Sequence, residues 1–212
     1  MEVRTGARPG TNGAAEVLVH LSAPPERVPL ATAIRSTTLI SSQSAVERAG
    51  KLRLYQQALP REYAETLGSL VAATWLPMDV GMVHYATVSQ LGFSDSEARE
   101  NGRHVAQRVQ NSHFAVLVRA LGQTVTPWSV LPRLPAFLGR LVQGGECSVV
   151  KLGPKDARVE LHGIDIARFK YVREGWAGML EGTLELLVRK VYARDLSPAD
   201  TQSVAVFSLA WV

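Results

Sequence analysis

At Gly144-Gly145 the hydrophobic period of this 212-residue chain changes, and that change constrains the fold more than any other feature. Before the pair, apolar residues recur at helical spacing; after it, they alternate. Cys147–Leu152 and Ala157–His162 flank Gly153-Pro154-Lys155-Asp156, a connection with turn chemistry, so a hairpin is expected. In its second strand Val159 and Leu161 face one way, and Arg158, Glu160 and His162 face the other, which predicts one buried face and one wet face. Phe169–Leu187 reads as a helix with Trp176, Met179, Leu180, Thr183 and Leu187 on its core side. Val188–Ala193 and Val204–Trp211 supply two further strands, the last with Phe207, Leu209 and Trp211 on one face.

The first half reads as mostly helical. Residues 1–14 lack periodicity and are expected to be a disordered tail, leaving 15–212 as a single domain. Ala15–Leu21 suggests a short strand. Helices are expected over Ser42–Ala58, Arg61–Ala73 and Met78–Leu91, with Pro60, Trp75-Leu76-Pro77 and Gly92 as breaks. Ser94 with Glu97 is an N-terminal capping signal for a long helix running to Gly122, striped by Val105, Val109, Phe114, Leu117, Val118 and Leu121. A further helix begins at Thr126-Pro127, with Pro132 and Pro135 delaying or kinking it. The sum is an α+β fold: a helical N-terminal half packed with a four-stranded antiparallel sheet.

Composition sets limits on function. Hydrophobic residues make up 46% and charged residues 20%, enough to bury a real core. The 23 basic residues nearly balance 19 acidic ones and form no run, which argues against nucleic-acid binding. The single cysteine, Cys147, excludes an intramolecular disulfide. No apolar run approaches the roughly 20 residues of a membrane span, and the N-terminus lacks a signal-peptide pattern, so a cytoplasmic location is expected.

Several features in fixed order resemble an uncharacterised paralogous protein family expanded in myxobacteria. They are Trp75-Leu76-Pro77, Gly102-Arg103 in the long helix, Leu131-Pro132-Arg133-Leu134-Pro135, Gly144-Gly145, the strand closing at Gly153-Pro154, the Gly178–Gly182 helix segment, and a last strand ending in Trp211. The resemblance spans Arg27 to Trp211. That family in turn is similar to the superfamily of four-vinyl-reductase domains, haem-NO-binding domains and the Bet3-like subunits of vesicle-tethering complexes (TRAPP). The resemblance implies small-molecule sensors or assembly subunits, often dimeric. Haem-NO-binding domains clamp the haem propionates with Tyr-x-Ser-x-Arg. That motif is absent here, where Tyr171-Val172-Arg173 lacks the spacing, and no cofactor is expected.

No catalytic constellation stands out: there is no Gly-x-Ser-x-Gly elbow, no phosphate-cradling loop and no paired-carboxylate signature, so the protein is expected not to be an enzyme. Of the histidines, Glu100/His104 share a helix face, but two ligands do not close a metal site. Cys147 invites comparison with the acylated cysteine of Bet3-like subunits, against the ordinary state of a small buried thiol. Gly175, Gly178 and Gly182 notch one helix, at a cost of about 1 kcal/mol each relative to alanine, which calls for a packing reason. Close packing on the sheet is one; a groove wall or homodimer face is another. Arg133, Arg140, Lys151, Lys155 and Arg158 are candidates for a basic face toward a partner protein. The leading expectation is a homodimeric interaction or assembly subunit. The alternative is a sensor that buries an apolar small molecule between sheet and helices, near Trp128, Phe137, Trp176 and Phe207.

Overall fold

The computed structural model describes residues 15–110 and 125–212. The expected N-terminal tail and the Phe114–Leu121 stretch of the long-helix stripe lie outside them. The chain starts with strand β1 (Glu16–Val19) and reaches a short strand β2 (Ala33–Arg35) that leads directly into helix α1 (Ser36–Arg48). That helix begins six residues earlier than its sequence suggests. Buried Ser36 fixes its start: the hydroxyl donates to Val71 O (2.7 Å) and accepts from Thr74 N (3.0 Å). The expected single helix to Ala58 is broken at Gly50, whose φ of 69° is left-handed, and resumes as α2 (Leu52–Ala58). Pro60 separates α2 from α3 (Arg61–Gly68). Trp75–Pro77 forms strand β3, which ends at the proline and is followed by α4 (Met78–Ser89) and α5 (Asp95–Gln110). Ser94 and Glu97 make the reciprocal capping contacts that the sequence predicts for α5: Ser94 N donates to Glu97 Oε2 at 2.7 Å and Glu97 N donates to Ser94 Oγ at 3.2 Å.

The two prolines of the next segment cut it into pieces rather than kinking one helix. They are α6 (Pro127–Val130), a 3-10 turn over Leu131–Arg133, and α7 (Leu134–Leu138). After β4 (Val142–Gln143), Gly144 adopts φ 90° and passes so close to Leu30 that an added Cβ would lie 2.7 Å from its carbonyl oxygen. The alternating half then follows as β5 (Glu146–Gly153), β6 (Asp156–His162), α8 (Lys170–Leu184), β7 (Val191–Asp195) and β8 (Ala205–Trp211).

The fold class is α+β with antiparallel sheets, and the larger sheet runs in the order β1-β5-β6-β8-β7. It therefore has five strands, because β1 joins the free edge of β5. A second sheet, β3-β2-β4, was not legible: strands of two or three residues carry no period. Register places Val149, Val159 and Phe207 in one row and Ala157, Leu209 and Ala193 in the next, all on the buried face. Among the described residues, no helix is long and apolar enough to cross a membrane.

Helices α5 and α8 approach to backbone contact. A Cβ at Gly102 would sit 1.8 Å from Gly175 O, one at Gly178 1.9 Å from Arg99 O, and one at Gly182 2.9 Å from the Ala106 side chain. The notch thus takes in α5 and not the sheet. Beside it, buried Glu174 and Glu181 accept from Arg99 at 2.6 and 2.9 Å, and Arg103 bonds Glu181 and Glu185. Glu181 also accepts from Ala193 N at 3.0 Å, so the network ties both helices to β7.

A smaller cluster sits under α1, α2 and α4, where Val46, Tyr55 and Val88 pack together. His84 lies beside it, fully buried, sharing a 2.7 Å hydrogen bond between its Nδ1 and the Tyr55 hydroxyl. Burial disfavours its charged form and lowers its pKa to about 3.

The helix contact and the buried histidine can each be tested. Gly178→Ala must push the two helix backbones apart, and an equilibrium denaturant titration should record a loss of about 1–3 kcal/mol. Gly68→Ala, where nothing lies within 4 Å, should leave stability unchanged or raise it by up to about 1 kcal/mol. Equal effects at the two sites would disprove the backbone contact. For His84, the unfolded chain takes up a proton near pH 6.5, which the folded chain refuses until about pH 3. Stability should therefore fall as pH drops through that window, by up to about 1.4 kcal/mol per pH unit. The slope between pH 6.5 and 5, above most carboxylate titration, should flatten in His84→Gln.

Candidate functional site

One face of α8 looks onto a large cavity. Its rows repeat every four residues: Tyr171 and Val172, Gly175 and Trp176, Met179 and Leu180, Thr183 and Leu184. From α1 come Thr37, Thr38, Ser41, Ser42 and Ala45, and from α5 Ala98, Asn101, Gly102 and Val105. Tyr85 of α4 closes one side. The proline-cut segment closes another with Val130, Leu131, Arg133, Leu134, Ala136, Phe137, Arg140 and Leu141. The volume is about 890 Å³, within the range of small-molecule sites. A void of about 40 Å³, sharing Phe137, Trp176 and Met179 with the cavity, reaches the sheet at Val159 and Leu161.

The lining is largely apolar, with few polar groups. Tyr85 is 6% exposed, and its hydroxyl bonds no other described group. Burial above all raises its pKa, with smaller contributions from the neighbouring Tyr171 and Tyr55, so it stays a neutral donor. Tyr171 is likewise raised by burial, partly offset by the Ser42 hydroxyl and by Asn101, whose amide lies 3.5 Å from the phenol oxygen. The rings of Tyr55, His84, Tyr85 and Tyr171 run in sequence from the small cluster to the cavity wall, with neighbouring centroids 5.4, 4.8 and 6.5 Å apart.

Of the four aromatic pocket candidates, Phe137 and Trp176 line the cavity. Phe207 does not; it is fully buried in the sheet core. Trp128 does not either: it meets Trp211 edge-on at 4.8 Å, and its indole N–H donates to Pro154 O at 3.0 Å. Of the notch glycines, Gly175 is shared between the α5 contact and the cavity wall, and Gly178 and Gly182 are filled by α5. The basic candidates divide. Arg133 and Arg140 are on the cavity wall, while Lys151, Lys155 and Arg158 are on the hairpin. There Lys151 pairs with Glu16 at 3.3 Å and Arg158 with Glu160 at 2.6 Å.

Sequence reasoning missed the α1 wall. Its signal was present: Thr37, Thr38, Ser41, Ser42 and Ala45 place small residues at helical spacing on one face, which leaves space where a core helix would fill it. His162 was expected on a wet face but is 5% exposed, with Nε2 2.9 Å from Glu160 Oε2. Cys147 is buried in the main core, and burial, assisted by Glu160, pushes its thiol up to about 12. His104 lies 3.8 Å from Glu100, both on the exposed side of α5. No group of three or more His, Cys, Asp and Glu among the described residues is placed to hold a metal ion.

No protein-family model matches the chain, and no curated protein matches it. Solved structures do share its fold. The Fe(II) unliganded H-NOX protein from K. algicida aligns with a TM-score of 0.63 at 11% identity, over 84% of this chain and 97% of that one. An oxygen-binding H-NOX domain related to soluble guanylate cyclases aligns at 0.55 and 12% identity, over 84% and 95%. A structure probing haem distortion in the H-NOX family aligns at 0.52 and 11%, over 82% and 93%. These likenesses agree with the haem-NO-binding arm of the sequence resemblance. The described lining fits a haem poorly, however. Haem iron takes axial His, Cys, Met or Tyr ligands. The described wall offers no His or Cys, and Met179 stands without a histidine to complete a pair, which leaves the phenols of Tyr85 and Tyr171. His113 lies outside the described residues. At these identities the likeness is one of fold: the chain has an H-NOX-like α+β architecture.

Proposed function

We propose that this chain is a non-enzymatic sensor domain that binds an apolar small molecule in the cavity between α1, α5, α8 and the proline-cut segment. One observation carries the reading: a cavity of about 890 Å³ with a mostly apolar wall and a few placed polar groups. Apolar walls left unfilled at this scale forgo dispersion contacts, so an occupant would supply what packing lacks. The H-NOX neighbours, described as oxygen-binding or as haem proteins, support a ligand-binding role for the fold. This reading is favoured over an assembly subunit because the notch glycines already have an occupant in α5. The wall carries no nucleophile–base pair or paired carboxylates among its described residues, which supports a binding role rather than catalysis.

Native mass spectrometry of the purified protein, beside a denaturing spectrum, tests the proposal. Extra mass that denaturation releases is expected. Val105→Trp, which fills the cavity from α5, should lose that mass and keep or raise the melting temperature. A chain of bare mass that also fails to shift its melting temperature with any apolar ligand would overturn the reading.

A further inference from the structure

We propose that the occupant of this cavity is an iron-free amphipathic molecule, with an apolar body and one oxyanion head held by Arg133 and Arg140. The inference rests on the ligand-binding reading above and adds the chemical class. Arg133 and Arg140 are the only charged side chains on the described wall, and both are positive. Both are exposed, so they stand at the solvent boundary of the cavity and not in its interior.

Neither forms an ion pair with a described carboxylate. Seven other described basic residues do: Arg99, Arg103, Arg158 and Arg173 each pair with a carboxylate, as do Lys151, Lys170 and Lys190. The pairs at Glu174, Glu181 and Asp195 are largely buried, so acid and base there neutralise one another inside the fold. The cavity wall is left with an uncompensated positive rim.

An oxyanion fits this rim because guanidinium is a planar fork that matches carboxylate or phosphate geometry and keeps its charge when partly desolvated. The rest of the ligand is apolar by the same logic, since a second charge deeper in would meet no described partner and nothing would offset its desolvation. The head therefore faces water beside the two arginines, and the body extends inward along Phe137, Trp176 and Met179. Tyr85 adds one fixed hydroxyl for an acceptor atom on that body.

Titration of the full chain with cis-parinaric acid and with its methyl ester, read by probe fluorescence, tests the head group. The acid should bind about tenfold or more tightly than the ester at neutral pH, as expected for a charge-assisted contact. In Arg133→Gln/Arg140→Gln the preference for the acid over the ester should be lost. Equal binding of acid and ester by the unaltered protein would overturn the head-group assignment and leave the cavity reading standing. Binding of neither would overturn both for chain-shaped ligands. Displacement of the probe by dodecanoate or by monododecyl phosphate identifies which oxyanion is preferred. Haemin is the counter-test: a Soret band that is lost in His113→Ala would show iron ligation and overturn the iron-free class.

Discussion

The architecture depends on the backbone contact between α5 and α8. Gly102 on one helix and Gly178 on the other each leave room for the opposite carbonyl, so the helices meet with no side-chain layer between them. This fixes where the remaining surfaces of α8 can point. One flank carries Glu174, Glu181 and Glu185 to Arg99 and Arg103, and through Glu181 to the backbone of β7. Another buries Ala177, Leu180 and Leu184 in the main core. The last, with Trp176, Met179 and Thr183, faces the cavity. Burying the carboxylates is tolerated because each has a guanidinium partner, with backbone N–H donors to Glu181 and Glu185 as well, and removing one partner would strand the other.

Part of the basic charge behind a sequence pI near 9.5 is used inside the fold. Arg173 is 8% exposed, donates to the carbonyls of Ala167 and Arg168, and pairs with Asp195 at 2.7 Å. Burial alone would raise the pKa of Asp195, but hydrogen bonds from Ser197 and Arg173 outweigh it and hold the carboxyl below its ordinary value. Glu185 is held low in the same way against its own burial, by Lys190 and Arg103. Both carboxylates stabilise the fold above their unfolded pKa values and cease to do so as pH falls through the depressed ones.

What was legible in the sequence was periodic. The change of period at Gly144-Gly145, the hairpin, the long α8 stripe and the Ser94–Glu97 cap all stand where alternation or helical spacing puts them. What was not legible depended on tertiary contact. Strands β2, β3 and β4 are too short to show a period and exist because Ala33–Arg35 can pair on both sides. The stripe Trp176, Met179 and Thr183 was read as core-facing. It is apolar for the same reason a core is, and nothing in one helix tells whether the opposite wall will touch it. That depends on α1, whose Thr and Ser residues stop short of filling the gap. Trp128 and Phe207 illustrate the converse: large aromatic residues expected in a pocket were drawn into packing by Trp211 and by the sheet.

Fold likeness and cavity chemistry give different information, and the second is nearer to function. An H-NOX-like arrangement at 11–12% identity is a likeness in the placement of helices and sheet. It says nothing of which atoms line a cavity between them. Here the described wall holds phenols kept neutral by burial, a hydroxyl-bearing helix face and two arginines at the edge, with no imidazole or thiolate. An iron centre is set by its axial ligands, whereas an apolar ligand needs only volume, a water-excluding wall and a point of orientation. The glycine contact contributes to the first by holding α5 and α8 together on one side of the cavity. The rows of α8 line the cavity, and in the proposed reading Arg133 and Arg140 would supply the third.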